Sequence, residues 1–421
     1  MNSPGQKIAG ALILADDSAH WVVAGLRQLD RVGLSLDEYS VAAKRQGPVP
    51  VCVLWRPAPP ETAARLPHHP RLTHLSCTED LGRFIAEMPA DAAILVLDTH
   101  LVLQRGSLAS ALERSGPWLV ARAAELPSMV AEKNLRPPQP EESAPWYYLH
   151  VAAEIPEAEK HLLGGTAKSQ DGMISRHVNR PVSRALSRRL MRTRLRPNQL
   201  TVMLTALPLA GSLFLLRGGY LGFALGAVFF QLHSALDGCD GEIARVKYQD
   251  SAGGRKLDGL CDRFSTLLYA VALGLGLFRH PGVGEVMRWV YPLEGILAAL
   301  LIGISETWLT RISLDEYAET SAGPANLYPQ FVKEERHHFN EGDHLKLLAI
   351  KNSGLLFLGK GAASLFSELT KRDVFNFGFM LLALCGWPQW ILHILAVSAG
   401  AIAIFAVKDL LSPALDPKRV L

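Results

Sequence analysis

Cysteine and charge of one sign are both scarce in this chain, and each scarcity excludes something. The 421 residues contain five cysteines: Cys52, Cys77, Cys239, Cys261 and Cys385. No two form a CxxC pair, so neither a disulfide framework nor a structural zinc site is expected. Charged residues make up only 20% of the chain and nearly cancel, leaving a net charge of +3. Nucleic acid is not expected among the partners. A basic, apolar, small-residue leader is missing from the N-terminus, so the first domain is expected to stay in the cytoplasm. One local shortage also matters. The first apolar run is followed by Ala15-Asp16-Asp17-Ser18-Ala19-His20. Without glycine, arginine or lysine, this turn lacks the means to hold a triphosphate.

Apolar residues are plentiful, at 49% of the chain, and they concentrate after residue 199. Six apolar segments are expected as transmembrane helices, at about 199–217, 220–245, 258–279, 284–310, 373–388 and 390–410. Several exceed the roughly 20 residues that cross about 30 Å of hydrocarbon. Eight arginines lie just before the first segment, from Arg176 to Arg196. This asymmetry predicts a cytoplasmic connector, and alternation then places the 246–257 loop, the 311–372 segment and the C-terminal tail on the same side. Arg180–Arg196 reads as a basic amphipathic helix on lipid headgroups, with Val182, Leu186, Leu190 and Leu195 as its apolar points. Within 311–372, Leu345–Leu358 reads as an interfacial helix. His337, His338 and His344, with Glu334, Glu335 and Asp343, read as a solvated loop, because their spacing matches no ligand motif.

The N-terminal third has a different character. Lys7–Leu14, Val49–Trp55 and Ala92–Asp98 are short apolar runs of buried-strand type. Amphipathic stretches at Trp21–Val32 and Thr78–Glu87 lie between them. The alternation predicts an α/β domain with a mostly parallel, doubly wound sheet. The expected organisation is an α/β domain over 1–155, a basic connector over 156–197 and an all-α membrane domain over 198–421.

The densest chemistry falls at Asp237-Gly238-Cys239-Asp240-Gly241-Glu242-Ile243-Ala244-Arg245, followed by Gly254, Asp258 and Asp262. Asp237 and Asp240 are spaced i,i+3 and Asp258 and Asp262 i,i+4, so each pair shares a helix face. Carboxylates at a membrane edge are costly and functional by default. Two such helices face to face would repel without a cation, so a metal is the natural completion. Acidic residues at helical spacing are commonly a solvated face, but the glycines argue otherwise. Gly241 and Gly254 each cost about 1 kcal/mol relative to alanine in a helix, and they let a large ligand come close. Arg245 adds a fork that fits phosphate.

This stretch resembles the signature D-x-x-D-G-x-x-A-R-x8-G-x-x-x-D-x-x-x-D of the CDP-alcohol phosphotransferases, also called CDP-alcohol phosphatidyltransferases. Every signature position is filled. The resemblance implies a reaction in which an acceptor hydroxyl attacks the β-phosphorus of a CDP-alcohol and CMP leaves. It implies Mg2+ or Mn2+, two ions per site, held by Asp237, Asp240, Asp258 and Asp262, with Asp262 also the general base. Gly241, Ala244, Arg245 and Gly254 would cradle the cytidine phosphate. Asn198 and Thr201, in a P-N-x-x-T pattern that the family also shows, would join them; a helix cap is the alternative. A homodimer in a bacterial or archaeal cytoplasmic membrane, with the active site inside, is the expected setting.

Lys168-x-x-Asp171-Gly172-x-x-Ser175-Arg176-x-x-Asn179-Arg180-Pro181 further resembles di-myo-inositol-phosphate-phosphate synthase-like members. In those, a nucleotidyltransferase-like domain is often fused in front. The resemblance makes Arg176 and Arg180 candidates for an acceptor phosphate, such as that of an inositol phosphate. Asp98 sits where a metal-binding aspartate would be expected in the front domain. The unsuitable Ala15–His20 turn nevertheless predicts that this domain is inactive. Two other readings stay open: a phosphatidyltransferase of phospholipid synthesis, using CDP-diacylglycerol or a lipid acceptor, and a non-catalytic membrane scaffold.

Overall fold

A computed structural model describes residues 8–43, 47–57, 64–114, 116–131, 144–166, 171–280, 284–320 and 372–411. The expected Leu345–Leu358 helix and the histidine-containing 334–344 segment lie outside the described residues.

The front domain is built on three parallel strands, β1 (Gly10–Ala15), β4 (Val51–Trp55) and β6 (Ala93–Asp98), within a residue or three of the predicted runs. Leu12 pairs with both Cys52 and Val96, so β1 is central. β5 (Cys77–Thr78) extends the sheet in parallel beyond β4, and β8 (Leu119–Arg122) closes the other edge antiparallel to β6. The order β5-β4-β1-β6-β8 runs outward in both directions from β1. Such a switch point opens a crevice beyond the strand ends, where α/β proteins bind ligands. Short helices α2 (Leu81–Ala86), α3 (Leu108–Leu112) and α4 (Leu126–Ala131), and the antiparallel pair β7 (Leu101–Leu103) and β9 (Trp146–Tyr148), complete the domain.

One predicted helix is replaced. Trp21–Val32 opens as a tight hairpin of β2 (Val22–Val23) and β3 (Leu26–Arg27). Ala24 and Gly25 turn it, with φ of 51° and 77°, the backbone that a two-residue turn requires. The helix starts later, as α1 (Gln28–Ala42), and its residues from Gln28 to Glu38 are buried on every side. A helix buried all round shows no apolar stripe to read in advance.

The connector folds into α5 (Ile155–Gly164), a π-helical turn (Ser175–Asn179) and α6 (Arg180–Leu190). The predicted Arg180–Arg196 helix therefore ends early. Thr193 Oγ1 donates to Leu190 O at 2.6 Å, and Met191 is buried in a core shared with the front domain. Arg196 is extended ahead of Pro197, as the residue before proline prefers. The buried face of α6 is polar, made by Arg180, Ser183 and Ser187, while Val182 is exposed.

All six predicted apolar segments are helical. The first is α7 (Pro197–Leu204) continued by α8 (Ala206–Arg217), and the second is α9 (Gly219–Leu236) continued by α10 (Gly238–Val246). Then come α11 (Ala252–Phe278), α12 (Glu285–Thr320), α13 (Arg372–Leu384) and α14 (Pro388–Leu411). Among the described residues, three helices are long and apolar enough to cross a membrane: Pro197–Arg217, Gly219–Val246 and Ala252–Phe278. Leu209, Leu213, Leu221 and Leu225 point outward from them. Small residues allow close packing inside. A Cβ on Gly276 would lie 2.0 Å from Leu215 O, and one on Gly274 would lie 2.6 Å from Tyr291 O.

Candidate active site

Asp237 stands at the joint between α9 and α10, and Asp240 one turn further on. Asp258 and Asp262 follow each other on α11. Asp237 and Asp262 meet across the two helices, and they meet a third group, His233 of α9. One donor atom from each lies within 4.8 Å of the others. His233 is buried at 3% exposure. It sits i,i+4 before Asp237, so the helix puts both on one face. That spacing was open to inspection in the sequence, but a lone histidine in an apolar run gives no signal unless Asp237 is already marked.

Asp240 is turned toward α7. Its carboxylate accepts hydrogen bonds from Thr201 Oγ1 and, at 2.5 Å, from Gly241 N. Asp258 and Asp240 both lie within electrostatic reach of Asp237. The donor set is carboxylate oxygens plus one imidazole, which suits a hard divalent cation such as Mg2+ or Mn2+. These residues fit a metal.

Arg372 of α13 was not foreseen. Its guanidinium grips Asp262 with both arms, one hydrogen bond reaching Oδ1 at 2.8 Å and the other Oδ2. Asp373, next in the chain, accepts from Ser175 N at 2.5 Å and so ties α13 to the π-turn carrying Arg176. Both residues are separated from their partners by more than a hundred positions, and no local pattern announces them.

Arg245 lies along the face of α10 beside Gly241. A Cβ on Gly241 would come 3.3 Å from Arg245 Nη1. Arg245 Nε and Nη2 are shielded from solvent and have no hydrogen-bond partner among the described residues. Buried donors left unpaired are expensive, and a ligand's phosphate is the ordinary completion for a guanidinium. Gly254 is capped by Ser251 Oγ at 3.0 Å. A Cβ there would lie 2.8 Å from Asn198 Oδ1, so the P-N-x-x-T start of α7 faces the first turn of α11. Ala244 is buried on the same side of α10.

The arginines expected to face an acceptor differ. Arg176 is exposed, with Nε donating to Gly172 O at 3.4 Å. Arg180 is 6% exposed and committed internally. It donates to both oxygens of Asp171 at 2.8 Å and to Glu242 Oε1 at 2.8 Å. Ser183 and Ser187 hold the same Glu242 carboxylate. Arg180 thus anchors α6 to α10.

In the front domain, the crevice beyond β1 and β6 is bridged by hydrogen bonds among its own side chains. His100 Nε2 meets Asp16 Oδ2 at 2.8 Å, Tyr148 Oη donates to Asp98 Oδ2 at 2.7 Å, and Ser18 Oγ pairs with Thr99 Oγ1 at 2.6 Å. The Asp16 bond raises the His100 pKa to about 9, against burial. Burial pushes Asp98 up to about 6, against its hydrogen bond from Tyr148. For Asp16, burial acts upward, but the bonds from His100 and Ser18 prevail and bring it down to about 2.

Residues 194–333 match the profile of a family described as CDP-alcohol phosphatidyltransferase. Similar proteins carry the name bifunctional IPC transferase and DIPP synthase. The one from Rubrobacter xylanophilus is 41% identical over 133 residues, 32% of this chain and 30% of that protein. Those from Aquifex aeolicus and Thermococcus kodakarensis are 34% and 30% identical, over 35% and 42% of this chain and 32% and 39% of theirs. The chain therefore spans about a third of the length of these relatives. The match falls on the stretch that carries the paired aspartates, Arg245 and Gly254.

Proposed function

We propose that the chain is an integral-membrane transferase that moves a substituted phosphate from a CDP-alcohol to an acceptor hydroxyl, releasing CMP. The observation that carries this reading is the Asp237–Asp262–His233 cluster, with the unpaired Arg245 fork about two turns further along α10. A pyrophosphate needs both a cation and a hydrogen-bonding clamp, and this stretch of the chain offers residues for each.

In this reading Asp237, Asp240, Asp258 and Asp262, joined by His233, would hold the divalent ions. When bound, such ions neutralise the pyrophosphate and stabilise the leaving phosphate. Arg245, backed by Gly241 and Ala244, binds the cytidine phosphate, and Asn198 and Gly254 line the same end. Thr201 holds Asp240 in orientation. Asp262, steered by Arg372, takes the proton from the acceptor hydroxyl. The acceptor oxygen bonds to the β-phosphorus as the bond from that phosphorus to the CMP oxygen breaks, and CMP departs with the electron pair. Arg176, which is exposed, is the candidate for an acceptor carrying its own phosphate, an inositol phosphate or similar polar compound. Arg180 would have to give up Asp171 and Glu242 to serve there.

The six helices are read as six membrane crossings, with the site and the front domain on the cytoplasmic side and the functional unit a homodimer. We read the front domain as nucleotidyltransferase-like and inactive, because Asp16 and His100 occupy the place of a phosphate loop. That closure favours a second reading on the donor side: if no CDP donor is made in the same chain, CDP-diacylglycerol becomes a candidate.

Purified protein given Mg2+ or Mn2+ and a panel of CDP-alcohols with acceptors is expected to release CMP. Chelator and Asp262→Asn should each lower that release by about a thousandfold or more. Partition of the product into water or organic solvent separates polar from lipid chemistry. CMP release that survives both treatments would sink the proposal.

A further inference from the structure

The front domain grips one short loop of the membrane half. Lys247–Asp250 joins α10, which carries Asp240 and Arg245, to the Ser251 cap of α11, which carries Gly254, Asp258 and Asp262. Tyr248, at the centre of this loop, is 1% exposed and lies in the front domain's own hydrophobic core. Its φ of +55° is uncommon for a bulky side chain and strained. Strain of that kind persists only where the surroundings hold it.

Those surroundings come mainly from the front domain. Ser35 Oγ pairs with Tyr248 Oη at 3.0 Å. Arg71 Nη1 donates to Tyr248 O at 2.9 Å. Arg105 lies over the tyrosine ring, 4.9 Å from its centroid, donates to Glu38 Oε1 at 2.6 Å and forms an ion pair with Asp250 at 2.6 Å. Arg31, 1% exposed, donates to Val246 O at 3.0 Å and so caps the C-terminal end of α10 with a cation. On the membrane side, Lys247 Nζ donates to Thr193 O at 2.7 Å. Val246 O, Tyr248 O and the Tyr248 and Asp250 side chains are thereby held by the front domain, while the amides of Lys247, Tyr248 and Gln249 bond back to carbonyls of α10.

We propose that the front domain is a positioning domain for the transferase site, and that it acts by holding Lys247–Asp250. Its own crevice is bridged by the Asp16–His100 bond, and its contribution here is geometry. It sets α10 against the first turn of α11, so that Arg245 and the Asn198–Gly254 contact face the nucleotide end of the donor together. Tyr248, Arg71, Arg105 and Arg31 are positioning residues that touch no substrate. The inference rests on the phosphotransferase reading only for the identity of the ligand.

The test uses the full chain in detergent or nanodiscs with Mg2+, and CMP as the binding probe. Arg71 is a suitable site because it stands at the rim of the clamp. Arg71→Ala is expected to weaken CMP affinity and raise the KM for the donor about tenfold, with kcat and the acceptor KM within about twofold. Arg71→Lys should recover part of the loss, and hydrogen exchange over 246–251 should rise in Arg71→Ala. Tyr248→Phe, which removes only the bond to Ser35, should move in the same direction by a smaller factor.

Unchanged CMP affinity in a variant whose loop exchanges faster would overturn the clamp. So would a parallel fall of kcat and both KM values that follows only the amount of folded protein. Wild-type protein that binds CMP but releases none from any CDP-alcohol overturns the phosphotransferase reading alone; the clamp is still decided by CMP affinity. Wild-type protein without CMP affinity overturns both.

Discussion

His233 is the residue whose role most alters the site drawn from the aspartates alone. A neutral imidazole beside two carboxylates adds a donor without adding charge, which moderates the repulsion between Asp237 and Asp262 and favours Mn2+ relative to an all-oxygen set. His233→Ala is expected to raise the metal concentration needed for half-maximal CMP release by about tenfold, while saturating metal restores most of the rate. A metal titration of both proteins checks this, and an unchanged midpoint would remove His233 from the site. The signature residues were legible because their types and spacing form one compact pattern, Asp237 to Asp262, that would serve one shared ligand in the proposed reading. His233, Arg372 and Asp373 were not. The first is a single residue in an apolar run, and the other two act on Asp262 and Ser175 across more than a hundred residues.

At the scale of elements, α6 and α10 are joined by a polar seam. Glu242 is 0% exposed and receives Arg180, Ser183 and Ser187, while Asp171 holds the other side of the Arg180 fork. Removing one member of a buried ion pair strands the other charge. Glu242→Ala should therefore destabilise the folded protein by about 3–5 kcal/mol, and Arg180→Met combined with it should cost less than the sum of the two single changes. Thermal unfolding of the four proteins measures this coupling; strict additivity would mean that the seam is not a unit. The sequence places the start of α6 and two of its apolar points, since Leu186 and Leu190 pack against the shared core, but Val182 is exposed and the fully buried positions are Arg180, Ser183 and Ser187. The three parallel strands β1, β4 and β6 were readable to within a few residues, since continuous apolar runs leave little choice, whereas the short edge strands β5 and β8 were not. The β2–β3 hairpin was not, because its turn depends on Ala24 adopting a backbone that alanine seldom takes.

Across the whole molecule, the two halves share buried cores. Val23, Val102 and Leu162 pack in one cluster with Met191, Leu200 and Ile243, so loosening the front domain loosens the parts of α7 and α10 that pack in it. The titrating groups of the front crevice therefore bear on the stability of the whole chain. His100 has its pKa raised from 6.5 to about 9, so its stabilisation is complete below pH 6.5 and is lost as pH rises through 9. Asp98 is raised from 3.8 to about 6; it favours the folded state only while protonated, and its cost builds from pH 3.8 to 6. Asp16, lowered from 3.8 to about 2, acts oppositely: its contribution is present above pH 3.8 and disappears as pH falls through 2. Because the His100 and Asp16 shifts describe one shared ion pair, they are not summed. The comparison that isolates the front crevice from aspartates elsewhere is wild type against His100→Gln. The stability difference between them should be largest near pH 6 and shrink by about 2 kcal/mol by pH 9.5, after allowing for screening of a half-buried pair. Asp98→Asn should flatten the separate decline between pH 4 and 6. Unfolding midpoints of the three proteins from pH 4 to 9.5 supply the test. A wild-type curve that stays parallel to that of His100→Gln through this range would mean that the Asp16–His100 contact does not hold the front domain closed.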